Sequence, residues 1–143
     1  MVEMTAHEID SMLEESRIGR LGMADESGHP YVIPMPFCWA DGKLYLRIAM
    51  SGRKGEVLSA NRRVCFEIDE YSDDFSRYAS VLVEGELQPV ATIAEKEKVK
   101  SLTEAKYLRL RNGNRPGHGR QIRIEDLPLQ RLEVYQISGR KRA

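Results

Sequence analysis

The sequence is poor in cysteine, in net charge and in long apolar runs, and each absence removes a class of function. Cys38 and Cys65 are the only two cysteines in 143 residues. Neither has a C-x-x-C spacing or a nearby histidine, so neither a zinc site nor a disulfide framework is supported, and both read as buried reduced thiols. Twenty-two basic residues are balanced by twenty-two acidic ones. There is therefore no global field to draw in nucleic acid or an anionic membrane, and any basic patch is local. No apolar run approaches membrane-spanning length, and Met1-Val2-Glu3-Met4-Thr5 lacks the regions of a signal peptide. The expectation is a cytoplasmic protein with no membrane partner. His7, His29 and His118 fall at no metal or triad spacing. No metal ligand and no catalytic residue is identified, although His118 sits in a Gly-rich loop that can approach a cleft.

What is present suits one domain over residues 1–143, since no repeat or linker divides the chain and this length folds around one core. Thr5-Ala6-His7-Glu8 has capping-box spacing and Ile9, Met12 and Leu13 follow at helical intervals, which predicts a helix from about Thr5 to Ser16. Short apolar segments separated by turn residues come next. They predict strands at Ile18 to Ala24, Tyr31 to Trp39, Lys43 to Ala49, Arg63 to Asp69, Ala79 to Val90 and Leu129 to Ile137. Asp41-Gly42 marks a type I′ hairpin between the second and third of these. Thr92-Ile93-Ala94-Glu95 is a second capping box, with Val99, Leu102 and Ala105 as the apolar face of a helix running toward Arg111 and Glu95, Lys96, Glu97, Lys98 and Lys100 as its solvated face. The fold class is mainly β with flanking helices, and six antiparallel strands in so short a chain suggest a closed or nearly closed barrel, which also removes exposed edges.

Two stretches stand out chemically. Tyr31-Val32-Ile33-Pro34-Met35-Pro36 is irregular for a strand, because each proline removes a backbone donor. It is either an edge strand protected from aggregation or a strand whose free carbonyls and N–H groups face a ligand. Met50-Ser51-Gly52-Arg53-Lys54-Gly55 places two cations where a helix begins, at the positive end of its dipole and among N–H groups without intrahelical partners. It is either a solvated turn or, with Arg47 on the preceding strand, a set of donors and cations converging on one phosphate. The glycine spacing is not that of a P-loop.

The ordered set of Gly19-Arg20-Leu21-Gly22, Tyr31 to Met35, Gly42-Lys43-Leu44-Tyr45, Gly52-Arg53-Lys54, Asn61 to Phe66, Ser80 to Gly85 and Ile137 to Arg142 resembles the pyridoxamine 5′-phosphate oxidase-like FMN-binding split barrels, in particular the nitroimidazole-resistance-related branch. The resemblance runs over nearly the whole chain. It implies a six-stranded antiparallel split β-barrel that forms a homodimer, with FMN in a cleft at the interface. It implies that Arg53 and Lys54 hold the FMN phosphate with help from Ser51, and that the backbone of Val32, Ile33, Pro34 and Met35 lines the flavin ring edge. A flavin-dependent oxidoreductase acting on a small organic acceptor follows, with a nicotinamide nucleotide as a possible electron donor. Many relatives carry His-Ser before the Ala that precedes the Gly-Arg-Lys turn, where this chain has Arg47-Ile48, so no role of that His is carried over. Arg47 adds a phosphate contact, selects an anionic substrate or forms a plain surface salt bridge. The rival from another class is a flavin- or haem-binding module without turnover, and a deazaflavin is a further alternative to FMN.

Overall fold

A computed structural model of the protein describes residues 1–112 and 122–143. The elements run in the order β1 (Val2–Glu3), α1 (Ala6–Glu15), β2 (Gly19–Ala24), β3 (Pro30–Met35), β4 (Cys38–Ala40), β5 (Lys43–Arg47), α2 (Gly52–Ala60), β6 (Arg63–Tyr71), β7 (Tyr78–Pro89), α3 (Ile93–Leu110) and β8 (Leu129–Lys141), with a 3-10 turn at Ile124–Asp126. The strands pair antiparallel in the order β3-β2-β6-β7-β8-β5-β4, and β1 adds to the far end of β8.

That order forces the sheet to curl. β3 and β4 lie at its opposite edges, yet only Pro36 and Phe37 separate them in the chain. Seven strands laid flat would hold their outer members about 29 Å apart at ~4.8 Å per gap. Three Cα–Cα steps from Met35 to Cys38 reach about 11 Å at most. The sheet therefore rolls into a split barrel, and Pro36-Phe37 is the seam where its edges meet.

Against the six strands expected, the described residues form eight. The expected strand from Tyr31 to Trp39 is two strands, one paired with β2 and the other with β5. Asp41 and Gly42 do form the hairpin turn, both with positive φ, but it joins β5 to β4 alone. β8 runs on to Lys141, because its C-terminal half has both β7 and β1 to pair with. The Gly-rich segment 113–121, with His118, lies outside the described residues.

Strand alternation fills the barrel. Val64, Phe66 and Ile68 of β6, Val81 and Val83 of β7 and Leu44 and Leu46 of β5 point inward, with Leu13 of α1 and Leu58 of α2 plugging the ends. Each such side chain contributes about 1.5–3 kcal/mol relative to exposure. Cys38 belongs to a smaller cluster with Tyr45, Val99 and Leu129 between the sheet and α3, and it is buried as expected; Cys65 is only half-buried, on the outer face.

α1 has the full capping box, with Thr5 Oγ1 accepting from the Glu8 N–H and Glu8 Oε1 accepting from the Thr5 N–H. α3 has half of one. Thr92 accepts from the Glu95 N–H, but the Glu95 carboxylate turns to the sheet, accepting from Tyr45 Oη at 2.7 Å and from Arg131 at 2.8 Å on both oxygens. Burial works against the charge on Glu95, yet the Tyr45 hydroxyl and the Arg131 guanidinium together hold its carboxyl below the usual range. Glu95→Ala is expected to cost about 1–3 kcal/mol in chemical denaturation at neutral pH, since it strands Tyr45 and half of Arg131. The wild-type advantage should fade as pH falls below the ordinary glutamate range, because protonation removes the acceptor.

The buried face of α3 differs from the apolar face read from the sequence. Leu102 and Ala105 are exposed, and Lys96, Val99, Thr103 and Lys106 face the sheet. The polar heads on that face are all satisfied: Lys96 Nζ donates to the Glu125 carbonyl at 2.9 Å, Thr103 to Val99 at 2.7 Å and Lys106 to Phe37 at 3.1 Å. Long aliphatic stems cover apolar surface while their ammonium groups reach carbonyls at the periphery.

Candidate functional site

β3 is an edge strand. Among the described residues it pairs only with β2, Tyr31 opposite Met23 and Ile33 opposite Leu21, which leaves the backbone along its other side open to a ligand. Its side chains alternate: Val32 and Pro34 are exposed, Tyr31 and Ile33 pack partly against the core, and Met35 is buried. Whatever meets this edge meets main chain first.

Helix α2 begins beside that edge. Ser51 is the N-cap, and its side chain makes no capping hydrogen bond. No acidic residue occupies the first turn, whereas α1 and α3 carry Glu8 and Glu95 there. Gly52 has φ +79°, a left-handed conformation that turns the chain sharply out of β5 and into the helix. Arg53 is exposed and Lys54 half-buried. The Arg53 guanidinium lies 4.6 Å above the Tyr31 ring, which binds the helix start to β3 by a cation–π contact. Unpartnered N–H groups, the dipole and two cations thus meet the open strand edge, with no acidic side chain in the first turn of α2 to neutralise them.

The neighbouring arginines do not gather here. Arg62 turns to β7 and β8, donating to the Leu87 carbonyl at 3.3 Å and to Gln130 Oε1 at 3.2 Å, and Arg63 stands over the Tyr135 ring at 5.6 Å. Arg47 is exposed on β5, on the side opposite the inward-facing Leu44, Leu46 and Ile48. It lines a 280 Å³ cavity between the seam, β5 and α3, where Phe37, Tyr45, Val99, Tyr107 and Leu129 form the walls. Arg53 and Val32 to Met35 are brought together through Tyr31; Arg47 faces this neighbouring cavity.

α3 holds the seam that separates the two regions. Tyr107 Oη accepts from the Phe37 N–H at 2.9 Å and lies 3.1 Å from the Phe37 carbonyl and 2.8 Å from that of Arg17. Lys106 Nζ donates to the same Phe37 carbonyl and sits 3.7 Å from the centre of the Phe37 ring. Burial pushes the Lys106 ammonium down to about 8. Between pH ~8 and the ordinary lysine value near 10.5 the unfolded chain holds a proton that the folded one has released, so this residue makes stability rise with pH across that window. The difference in unfolding free energy between wild type and Lys106→Met should grow by up to about 3 kcal/mol from pH 8 to 10.5. A flat difference curve would show that the ammonium is not desolvated.

Neither Lys106 nor Tyr107 was legible as a site residue. The available signal was Lys96 and Lys106 at helical spacing with Val99 and Thr103. A second concavity, of 520 Å³, crosses the outer face of the sheet past Gly22, Val32, Arg63, Cys65 and Tyr135, and among the sequence candidates only Val32 reaches it. Tyr135 is exposed there because β8 bulges against Glu84 and Gly85 of β7. Among the described residues no three His, Cys, Asp or Glu side chains stand together as metal ligands, and no helix is long and apolar enough to cross a membrane.

The molecule has structural relatives. A 5-nitroimidazole antibiotic resistance candidate from Bacteroides thetaiotaomicron superposes with a TM-score of 0.75 at 20% identity, over 96% of this chain and 85% of that one. An FAD-binding protein from Mesorhizobium loti is 28% identical over 99% and 98% of the two chains, with a TM-score of 0.72. A heme binding protein from Mycobacterium smegmatis matches with a TM-score of 0.71 at 15% identity, covering 99% of this chain and 58% of that one. No curated protein matches the sequence significantly. The sequence profile of the pyridoxamine 5′-phosphate oxidase family matches residues 5–141. With the split barrel, and with nearly the entire chain inside that match, the protein belongs to the pyridoxamine 5′-phosphate oxidase family.

Proposed function

We propose that the protein binds FMN and works as a cytoplasmic flavin-dependent oxidoreductase on a small organic acceptor, as a homodimer with the cofactor cleft at its interface. The observation that carries this reading is the Arg53–Tyr31 stack, which sets an anion-seeking helix start against an open strand edge. One helix N-terminus with two cations suits a single phosphate, and so FMN rather than a dinucleotide. Arg53 and Lys54 hold the phosphate, Ser51 Oγ and the first N–H groups of α2 complete its shell, and main-chain groups from Val32 to Met35 meet the flavin ring edge. A flavin held by these residues would supply the redox chemistry, with a nicotinamide nucleotide as its electron donor. The role of the protein is to bind and orient the flavin and to shape the pocket beside it. The Mesorhizobium loti relative, FAD-binding by name and similar from end to end, supports a flavin, while the choice of FMN over that dinucleotide rests on the single phosphate site at the start of α2.

Mass spectrometry of the small molecule released on denaturing the purified protein tests the cofactor. FMN is expected; a deazaflavin, haem or no ligand overturns the assignment. Light scattering should show two chains per particle, and a monomer that still holds FMN tightly would end the shared-cleft proposal. Dithionite-reduced protein that returns no electrons to quinone, nitro compound or oxygen would favour the module without turnover.

A further inference from the structure

The cavity beside the seam has the build of a site for a small amphipathic anion. Phe37, Val99, Leu127 and Leu129 give it apolar walls, and at 280 Å³ it admits one compact ring or branched chain. Two guanidinium-bearing residues line it, Arg47 from β5 and Arg111 from the C-terminal cap of α3. The acid among its lining residues is Glu104, and that carboxylate is 3.2 Å from Lys100 Nζ, one helical turn away. The Tyr45 hydroxyl, on the same side of β5 as Arg47, is committed to Glu95 at 2.7 Å. Arg47 itself forms no ion pair and no side-chain hydrogen bond among the described residues. A planar cation on an apolar cavity, without a carboxylate of its own, favours a ligand with an apolar body and an anionic end.

We propose that this cavity binds a small aromatic or branched aliphatic carboxylate, with Arg47 taking the carboxylate and Phe37, Val99 and Leu129 enclosing the apolar body. The inference rests on the flavin reading only in making that carboxylate the substrate beside the cofactor. Binding itself needs no flavin. Arg47 thereby becomes the specificity residue of the site, and Arg53 and Lys54 keep the phosphate.

Benzoate and benzamide, which share shape and differ in charge, are suitable probes for titration by calorimetry and by amide-resolved NMR, using protein as purified and protein stripped of its small molecule. Benzoate should bind at least about 10-fold more tightly than benzamide, with shifts centred on Phe37, Val99 and Leu129. Arg47→Met should weaken benzoate about 10- to 100-fold and leave benzamide unchanged, while Arg47→Lys restores part of the loss. Equal binding of the two probes by wild type, shifts outside the cavity, or an Arg47→Met protein that binds benzoate normally would each overturn the proposal. The wild-type comparison keeps the test decisive even if a variant folds poorly. Selective benzoate binding by a protein that takes no flavin would retain the carboxylate site and reject the cofactor reading. Flavin binding without benzoate selectivity would do the reverse.

Discussion

Replacing Arg53 and Lys54 together by alanine is expected to weaken FMN binding about 30- to 1000-fold and to leave riboflavin binding almost unchanged. Each side chain offers a charge-assisted hydrogen bond worth roughly 1.5–3 kcal/mol before water recovers part of it, for a net loss of about 2–4 kcal/mol. Riboflavin keeps the ring and ribityl chain and lacks only the phosphate, so it isolates that contribution. The fold should survive, because Arg53 is exposed and its contact in the structure is the face of Tyr31. Titrating both ligands into wild type and mutant, with circular dichroism as a folding control, reads the effect directly. Equal weakening of the two ligands, or of neither, would make Gly52-Arg53-Lys54 a solvated turn and send the phosphate elsewhere.

Gly55→Ala should be among the most damaging single-methyl substitutions in the chain. A Cβ at Gly55 would overlap the carbonyl of Met50, which is main chain and not a flexible side chain, so the first turn of α2 must move away. That motion cannot stay local, because Val57 and Leu58 on the same helix are buried in the barrel. We expect a loss of about 3 kcal/mol or more, equivalent to a fall in Tm of roughly 6–12 °C. Since the displaced turn carries Arg53 and the unpartnered N–H groups, FMN affinity should fall too. The exposed neighbour Glu56, changed to alanine, should do neither. Thermal unfolding and FMN titration of the two variants side by side test this, and a Gly55→Ala protein with wild-type Tm would refute it.

The sequence made some of this legible because the relevant forces are local. The cation pair at the start of α2 is written in consecutive residues, as is the capping of α1 by Thr5 and Glu8. Even the direction of Arg47 follows from a period of two: with Leu44, Leu46 and Ile48 inside, Arg47 must point the other way. The break at Pro36-Phe37 was only half visible. Its prolines announce an irregular strand, but which neighbour each half pairs with is decided by closure of a sheet whose edges are distant in strand order. The buried face of α3 was misread for a different reason. Hydropathy places lysine outside, whereas Lys96 and Lys106 lie inside because the Glu125 and Phe37 carbonyls stand ready to receive their ammonium groups.

The place of β8 bears on how the chain is made. It lies between β7 and β5, two strands synthesised before it, and it is what joins β4 and β5 to the remainder of the sheet. Until Leu129–Lys141 has left the ribosome, β7 and β5 each present an unpaired edge, and the β4–β5 hairpin has no sheet to join. The sheet can therefore close only once β8 has been made, and a nascent chain stalled before Leu129 would expose two edges to any extended peptide nearby.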